Sequence, residues 1–304
     1  MKLVLITGFL GSGKTTFLTN LLRDFKDEKV GVIMNEFGEK GIDGTLIQKN
    51  GIDLMELNNG SIFCACIKDN FIKALAEMTR YDFEYVIVEA SGLADPSNIE
   101  TILGSVNKIA EKEYDYSGSV CIVDSLYFLQ QLQLLPALTR QIQYSSSAIV
   151  NKTDLQSKDK INEIEVKLLE LNNNINIYKT VYCDTDIKEL LDNLSPVDYE
   201  SQDTTNTREN RPKTLVLKTD ETVDYKGLSN FIDDVKDSTF RMKGFVNTEK
   251  GLFEVSAVNS QLRISPWDKS DEDTNLVIIS SVGIKIISVV TNSWRKHLNI
   301  PISI

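Results

Sequence analysis

Gly8, Gly13, Lys14 and Thr15 complete the pattern G-x-x-x-x-G-K-[ST] within the stretch Leu3 to Thr16. Each residue type there has a task in holding a triphosphate. Glycines let the backbone curl until N–H groups close around phosphate oxygens. Those amides open a helix, whose N-terminal end favours an anion. Lys14 has the reach for the β- and γ-phosphates, and the Thr15 hydroxyl suits magnesium. A second chemical group lies at Glu89, which follows the apolar run 85–88 and precedes Ala90-Ser91-Gly92-Leu93-Ala94-Asp95-Pro96. A carboxylate at a strand end beside a phosphate loop holds magnesium or orients water, and the Gly92 N–H can donate to a γ-phosphate. A third group is Asn151-Lys152-Thr153-Asp154, directly after the apolar run 147–150. A carboxylate at Asp154 can accept from the ring N1–H and exocyclic amine of guanine. Adenine lacks that donor pair, so an unpaired carboxylate discriminates against it. Asn151 and Lys152 are placed to brace the base and the phosphate loop.

Two further stretches carry weaker signals. Residues 35–44, Asn-Glu-Phe-Gly-Glu-Lys-Gly-Ile-Asp-Gly, hold three glycines and several acidic or amide groups. They read as a loop, either a solvated connection or a switch that senses the γ-phosphate and its magnesium. Cys64 and Cys66 form a C-x-C pair just before a helical pattern at 69–80. Two thiols at that spacing can face one soft cation, but they supply two of the usual four ligands, and taken bare they read rather as two small buried residues.

The elements that must position these groups follow from the apolar pattern. Leu3 to Ile6, Val30 to Met34, Tyr85 to Val88, Ser119 to Asp124 and Ser147 to Val150 are short apolar runs, read as strands buried on both faces. Thr15 to Phe25 and Pro136 to Tyr144 read as helices, Leu54 to Leu57 as a short strand and Ile175 to Tyr182 as the last strand of the first domain. The expected fold is α/β, a P-loop doubly wound and mostly parallel sheet with its ligand at the strands' carboxyl ends. Residues 194–212 lose apolar periodicity and read as a linker or surface loop between a P-loop domain at 1–193 and a smaller C-terminal α+β domain at 213–304. In the latter, 225–235 and the end of 284–298 read as helix, and 214–218, 240–246, 251–258, 261–265 and 275–280 as strands.

Composition narrows the function classes. A formal net charge of −11 argues against broad contact with nucleic acid or anionic lipid. No apolar stretch is long enough to span a bilayer, so the expected compartment is the cytoplasm. There the four cysteines would be thiols or ligands, Cys121 and Cys183 reading as core residues. A single histidine excludes a His-tract metal store.

Taken together, the runs 8–16, 35–39, 89–96 and 151–154, with Arg241-Met242-Lys243-Gly244 opening a C-terminal domain, resemble the CobW family of metallochaperone GTPases, in the same broad class as UreG and HypB. The resemblance covers most of the chain. It implies a GTP/GDP site contacted by Gly8, Gly11, Ser12, Gly13, Lys14, Thr15, Thr16, Gly92, Asn151, Lys152 and Asp154, with catalysis by Lys14, Glu89, Glu39 and Asp43. It also implies delivery of a transition metal, commonly zinc or cobalt, to a client metalloprotein through the C-terminal domain, and leaves room for a homodimer. One departure stands out. The family's C-x-C-C motif falls here on Ser61 and Phe63, then Cys64, with Cys66 additional. Glu36 and Glu39 are then the candidates to complete a mixed sulfur–oxygen site with Cys64 and Cys66. The rival readings are a GTP-dependent activator of a metalloenzyme, such as a corrinoid-dependent one, without metal transport, and a small-molecule P-loop kinase, which would not need the 151–154 base reader.

Overall fold

The structure, a computed structural model, describes residues 1–26, 28–35, 46–49, 52–57, 68–198, 212–258, 261–268 and 273–304. The chain divides into two compact units, Met1–Asn210 and Arg211–Ile304.

The first unit runs β1 (Lys2–Gly8), α1 (Lys14–Asp24), β2 (Val30–Asn35), β3 (Leu46–Lys49), β4 (Ile52–Leu57), α2 (Lys68–Met78), β5 (Tyr85–Glu89), α3 (Ile99–Val106), β6 (Asp115–Asp124), α4 (Phe128–Leu132), α5 (Pro136–Gln143), β7 (Ser147–Asn151), α6 (Lys158–Leu171), β8 (Asn176–Lys179) and α7 (Ile187–Asp192). Its strands form one sheet in the order β3-β4-β2-β5-β1-β6-β7-β8. Every pairing is parallel except β3 with β4. This is the expected P-loop doubly wound arrangement, with an antiparallel edge strand that the sequence pattern did not announce. Leu46–Lys49 has only two apolar residues, too short a run to show a period.

The apolar runs read as two-faced because alternate residues enter two different cores. Leu3, Leu5, Val86 and Val88 pack with Phe71, Leu75 and Met78 of α2 and Ile102 and Val106 of α3. Val4, Ile6, Val32 and Ile87 pack on the opposite face with Phe17, Leu18 and Leu21 of α1 and Leu190 of α7. Each fully buried side chain of this size contributes about 1.5–3 kcal/mol.

One expectation is corrected. The strand expected over 175–182 ends at Lys179, because Tyr182 and Cys183 adopt left-handed backbone conformations (φ 54° and 55°) that no strand accommodates. Pro96 opens a short 3₁₀ turn, Pro96–Asn98, before α3, capped by Asp95, whose Oδ1 accepts from the Ser97 N–H.

The second unit holds β9 (Thr214–Thr219), α8 (Tyr225–Val235), β10 (Thr239–Thr248), β11 (Gly251–Val258), β12 (Gln261–Pro266), β13 (Thr274–Ser280) and α9 (Ile286–His297). Its sheet is antiparallel throughout, in the order β12-β11-β10-β13-β9. Leu228, Phe231 and Ile232 of α8 and Val290 and Trp294 of α9 form its core with Met242, Val255 and Ile278. The Phe231 and Trp294 rings meet edge-to-face at 5.0 Å. The second unit is therefore the expected smaller α+β module. Among the described residues no helix is long and apolar enough to cross a membrane.

Candidate functional site

The site is built at the carboxyl ends of β1, β5, β6 and β7. β1 ends at Gly8 and α1 starts at Lys14. Between them Gly8, Gly11 and Gly13 all have positive φ (130°, 74° and 117°). Gly13 is the N-cap residue of α1 and makes no side-chain cap bond. A Cβ there would lie 2.5 Å from Asn151 Nδ2, so both its backbone conformation and its surroundings demand glycine. The carbonyls of Gly11 and Ser12 accept from Lys152 Nζ and Asn151 Nδ2, each at 2.9 Å. Among the described residues no peptide is cis, so the N–H groups of Ser12 and Gly13 lie on the other side of those units. The Ser12 N–H bonds back to Phe9 O at 3.2 Å. Lys14, buried at 8% exposure, donates from Nζ to the carbonyls of Gly8 (2.9 Å) and Phe9 (3.2 Å). Its ammonium thus lies folded along the loop.

Thr15 Oγ1 donates to Glu89 Oε1 at 3.0 Å. Glu89, 7% exposed, is brought there by register: it pairs with Ile6 of β1 and Met34 of β2. The chain beyond it stays against the phosphate loop. The Ala90 N–H donates to Ile6 O at 2.9 Å. A Cβ at Gly92 would lie 2.6 Å from the Leu10 backbone nitrogen, so only glycine permits this approach. Gln141 of α5, buried, donates from Nε2 to Gly92 O (3.3 Å) and Ala94 O (2.8 Å) and so clamps the segment from behind.

The 151–154 segment is held from two sides. Asn151 is buried, and its Oδ1 accepts from the Cys183 N–H (2.9 Å) and Thr180 Oγ1 (3.3 Å). Lys152 is left-handed (φ 62°) and its ammonium also donates to Asp124 Oδ2 at 2.6 Å. Thr153 donates from its N–H and its hydroxyl to Thr180 O. Asp154 follows, its residue exposed to solvent. The Tyr182–Cys183 turn is tied down by Asn20 Nδ2, which donates to both carbonyls (3.0 and 3.3 Å). Cys183 Sγ donates to Gly13 O at 3.6 Å. Burial pushes the Cys183 and Cys121 thiols up to about 12, so both are buried and protonated at neutral pH.

The structure thus brings Gly8, Gly11, Ser12, Gly13, Lys14, Thr15, Thr16, Glu89, Gly92, Asn151, Lys152 and Asp154 to one edge of the sheet. Glu36, Glu39, Asp43, Cys64 and Cys66 lie outside the described residues. Among the described residues no group of three metal-binding side chains is gathered. Sequence reasoning passed over Asp124, Gln141 and Asn20, which hold the site. Gln141 had left a trace, as a polar residue beside Leu138 and Ile142 on the buried face of α5.

Known proteins place the chain. Residues 2–179 match the family described as "CobW/HypB/UreG, nucleotide-binding domain". Residues 213–287 match "Cobalamin synthesis protein cobW C-terminal domain". The zinc chaperone YjiA of Escherichia coli is 26% identical over 301 residues, covering 92% of this chain and 93% of its own length. The zinc-regulated GTPase metalloprotein activator 1 of Schizosaccharomyces pombe is 30% identical over 202 residues, 63% of this chain but only 49% of that longer protein. A zinc-bound crystal structure of the E. coli YjiA GTPase shares the fold, with a TM-score of 0.51 at 20% identity and 98% of each chain covered. With more than half of its length in the nucleotide-binding match, the chain belongs to the CobW/HypB/UreG family.

Proposed function

We propose that this chain is a GTP-hydrolysing protein that couples its nucleotide state to transition-metal handling for a client protein. The observation that carries the reading is the direct bonding of the 151–154 segment to the phosphate loop, through Asn151 to Ser12 and Lys152 to Gly11. A base reader and a phosphate cradle locked together in this way form one site for one guanine nucleotide.

In this reading the α1 N-terminus and the loop amides bind the phosphates. The hydroxyls of Ser12 and Ser91 are buried and find no hydrogen-bond partner among the described residues, the state expected of groups that a bound phosphate or its water completes. Lys14 leaves the Gly8 and Phe9 carbonyls for the β- and γ-phosphates. Asp154 accepts from the guanine edge. The Thr15 hydroxyl and Glu89 carboxylate, at hydrogen-bond distance from each other, are a hard oxygen pair that fits magnesium. The ion, when bound, neutralises charge on the phosphates. Glu89 orients the attacking water, and Gly92 offers its N–H toward the γ-phosphate. Water cleaves the γ-phosphoryl bond, giving GDP and phosphate. Glu39 or Asp43 senses the γ-phosphate, and Cys64 and Cys66 with Glu36 and Glu39 hold the metal as cargo. Zinc is the first candidate, being the metal named for the relatives. The C-terminal unit docks the client.

A hundredfold change in metal affinity between nucleotide states needs about 2.7 kcal/mol of coupling. The test is zinc and cobalt titration of the full chain with a non-hydrolysable GTP analogue and with GDP, in the native sequence and with Cys64→Ser and Cys66→Ser. The expected result is a nucleotide-dependent affinity that both substitutions weaken. Equal affinities in both states, untouched by the substitutions, would reject metal coupling at the cysteine pair.

The relative named as a metalloprotein activator favours a second reading, GTP-dependent remodelling of a client without metal transport. A GTP-dependent client complex that forms equally well in chelator would select it.

A further inference from the structure

Asp124, the last residue of β6, has no role in the reading above. Its side chain is 3% exposed and sits 2.6 Å from the Lys152 ammonium, itself 19% exposed. Both carboxylate oxygens are engaged: Oδ2 takes Lys152 Nζ, and Oδ1 accepts from the Leu126 N–H at 3.0 Å. The acid is therefore fixed by its own turn before it meets the lysine.

That turn grips the base-reading segment and the chain just beyond it at three more points. Ser125 Oγ donates to Lys152 O at 2.9 Å. The Ser125 N–H donates to Asn151 O at 3.2 Å. Gln156 Nε2 donates to Ser125 O at 3.3 Å. Lys152 is consequently held at both ends, its carbonyl by Ser125 and its ammonium by Asp124 and Gly11. Its four-carbon stem is stretched between the base-reading segment and the phosphate loop, along the span a nucleotide must cover. A stem pinned in this way is a preorganised apolar strip for the flat face of a purine.

We infer that Asp124 is a positioning residue for nucleotide binding, which fixes the Lys152 stem as a platform under the base and tethers Gly11 through the shared ammonium. Without the carboxylate, the ammonium keeps one neutral acceptor, and a strongly hydrated group of this kind leaves for water. The platform is then lost. Asp154 still reads the guanine edge, because none of its donors or acceptors changes. The loss falls on every purine nucleotide alike and on binding rather than turnover.

The inference rests on the GTP reading, and one set of measurements separates the two. Magnesium-dependent Kd and steady-state kinetics are measured for GTP and for ITP, which lacks the 2-amino group, in the native chain, Asp124→Asn, Lys152→Met and the double variant, with thermal melting as a fold control. Asp124→Asn is expected to raise the Kd about tenfold for both nucleotides and to leave kcat within about twofold. Lys152→Met is expected to lose as much, and adding Asp124→Asn to it to cost nothing more. An Asp124→Asn variant that binds like the native chain overturns the inference. So does a loss of equal size in the Lys152→Met background, which would mark a merely structural role. If Asp124→Asn fails to fold, Asp124→Glu carries the same cycle: a displaced carboxylate weakens binding only when Lys152 is present, and a loss independent of Lys152 overturns the inference. A native chain that binds no guanine nucleotide overturns the GTP reading itself, and the role of Asp124 with it.

Discussion

The side-chain amide of Asn151 donates to the main-chain carbonyl of Ser12 across 139 residues of sequence and 2.9 Å of space. The same side chain accepts from the Cys183 N–H, so one amide joins the loops that follow β1, β7 and β8.

Asn151→Ala removes all of these bonds and strands a buried N–H at Cys183. Leaving one such group unsatisfied costs about 1–3 kcal/mol. The expected outcome is a lower melting temperature and GTP affinity reduced by about tenfold or more. Calorimetry and nucleotide titration on the same preparation check it; unchanged binding at reduced stability would confine Asn151 to the fold.

Glu89→Gln preserves shape and the Thr15 contact but removes the charge. Turnover is expected to fall about a hundredfold or more, the scale of a lost acid–base or water-orienting group. Binding of GTP in excess chelator should hold. Phosphate release and equilibrium binding with and without magnesium separate the two effects.

Gly92→Ala places a methyl group 2.6 Å from the Leu10 nitrogen, against backbone that cannot turn aside. The segment after β5 must shift, and overpacking of this kind costs about 1–3 kcal/mol. Hydrolysis is expected to suffer more than GDP binding, since the displaced segment follows Glu89. Single-turnover hydrolysis against GDP affinity tests the order.

In the second unit, Lys296 and His297 hydrogen-bond Asp234 and hold its carboxyl down at about 2. A carboxyl lowered in the folded state adds stability above its ordinary range, and that contribution disappears as pH falls from about 4 to about 2. Asp234→Asn should therefore melt lower than the native chain at pH 6, with the gap closing by pH 2. Because the group is exposed, salt should narrow the gap at pH 6. Melting curves across that range at two salt concentrations check both points.

The site was legible where it is contiguous. Residues 8–16 and 151–154 each carry their chemistry within a few positions, bounded by apolar runs that could only be buried strands. Glu89 was legible because it directly follows the apolar run 85–88. Asp124 and Gln141 were not, since their partners lie 28 and 47 residues away and no local spacing records the pairing. The Tyr182–Cys183 turn was hidden for a different reason. Left-handed backbone is normally signalled by glycine or asparagine, and here neither occupies the turn; hydrogen bonds from Asn20 and to Asn151 supply what the turn's own residues lack. The edge strand β3 was too short to show a period.

The strand that carries the phosphate loop is wedged between two cores, Leu3 and Leu5 on one side and Val4 and Ile6 on the other. A strand so gripped cannot recoil when a phosphate leaves, because any sliding would unseat both layers of helices together. β1 acts as a stator. Whatever work GTP hydrolysis performs has to be drawn off at the sheet's carboxyl edge, by chain that arrives there from strands other than this one.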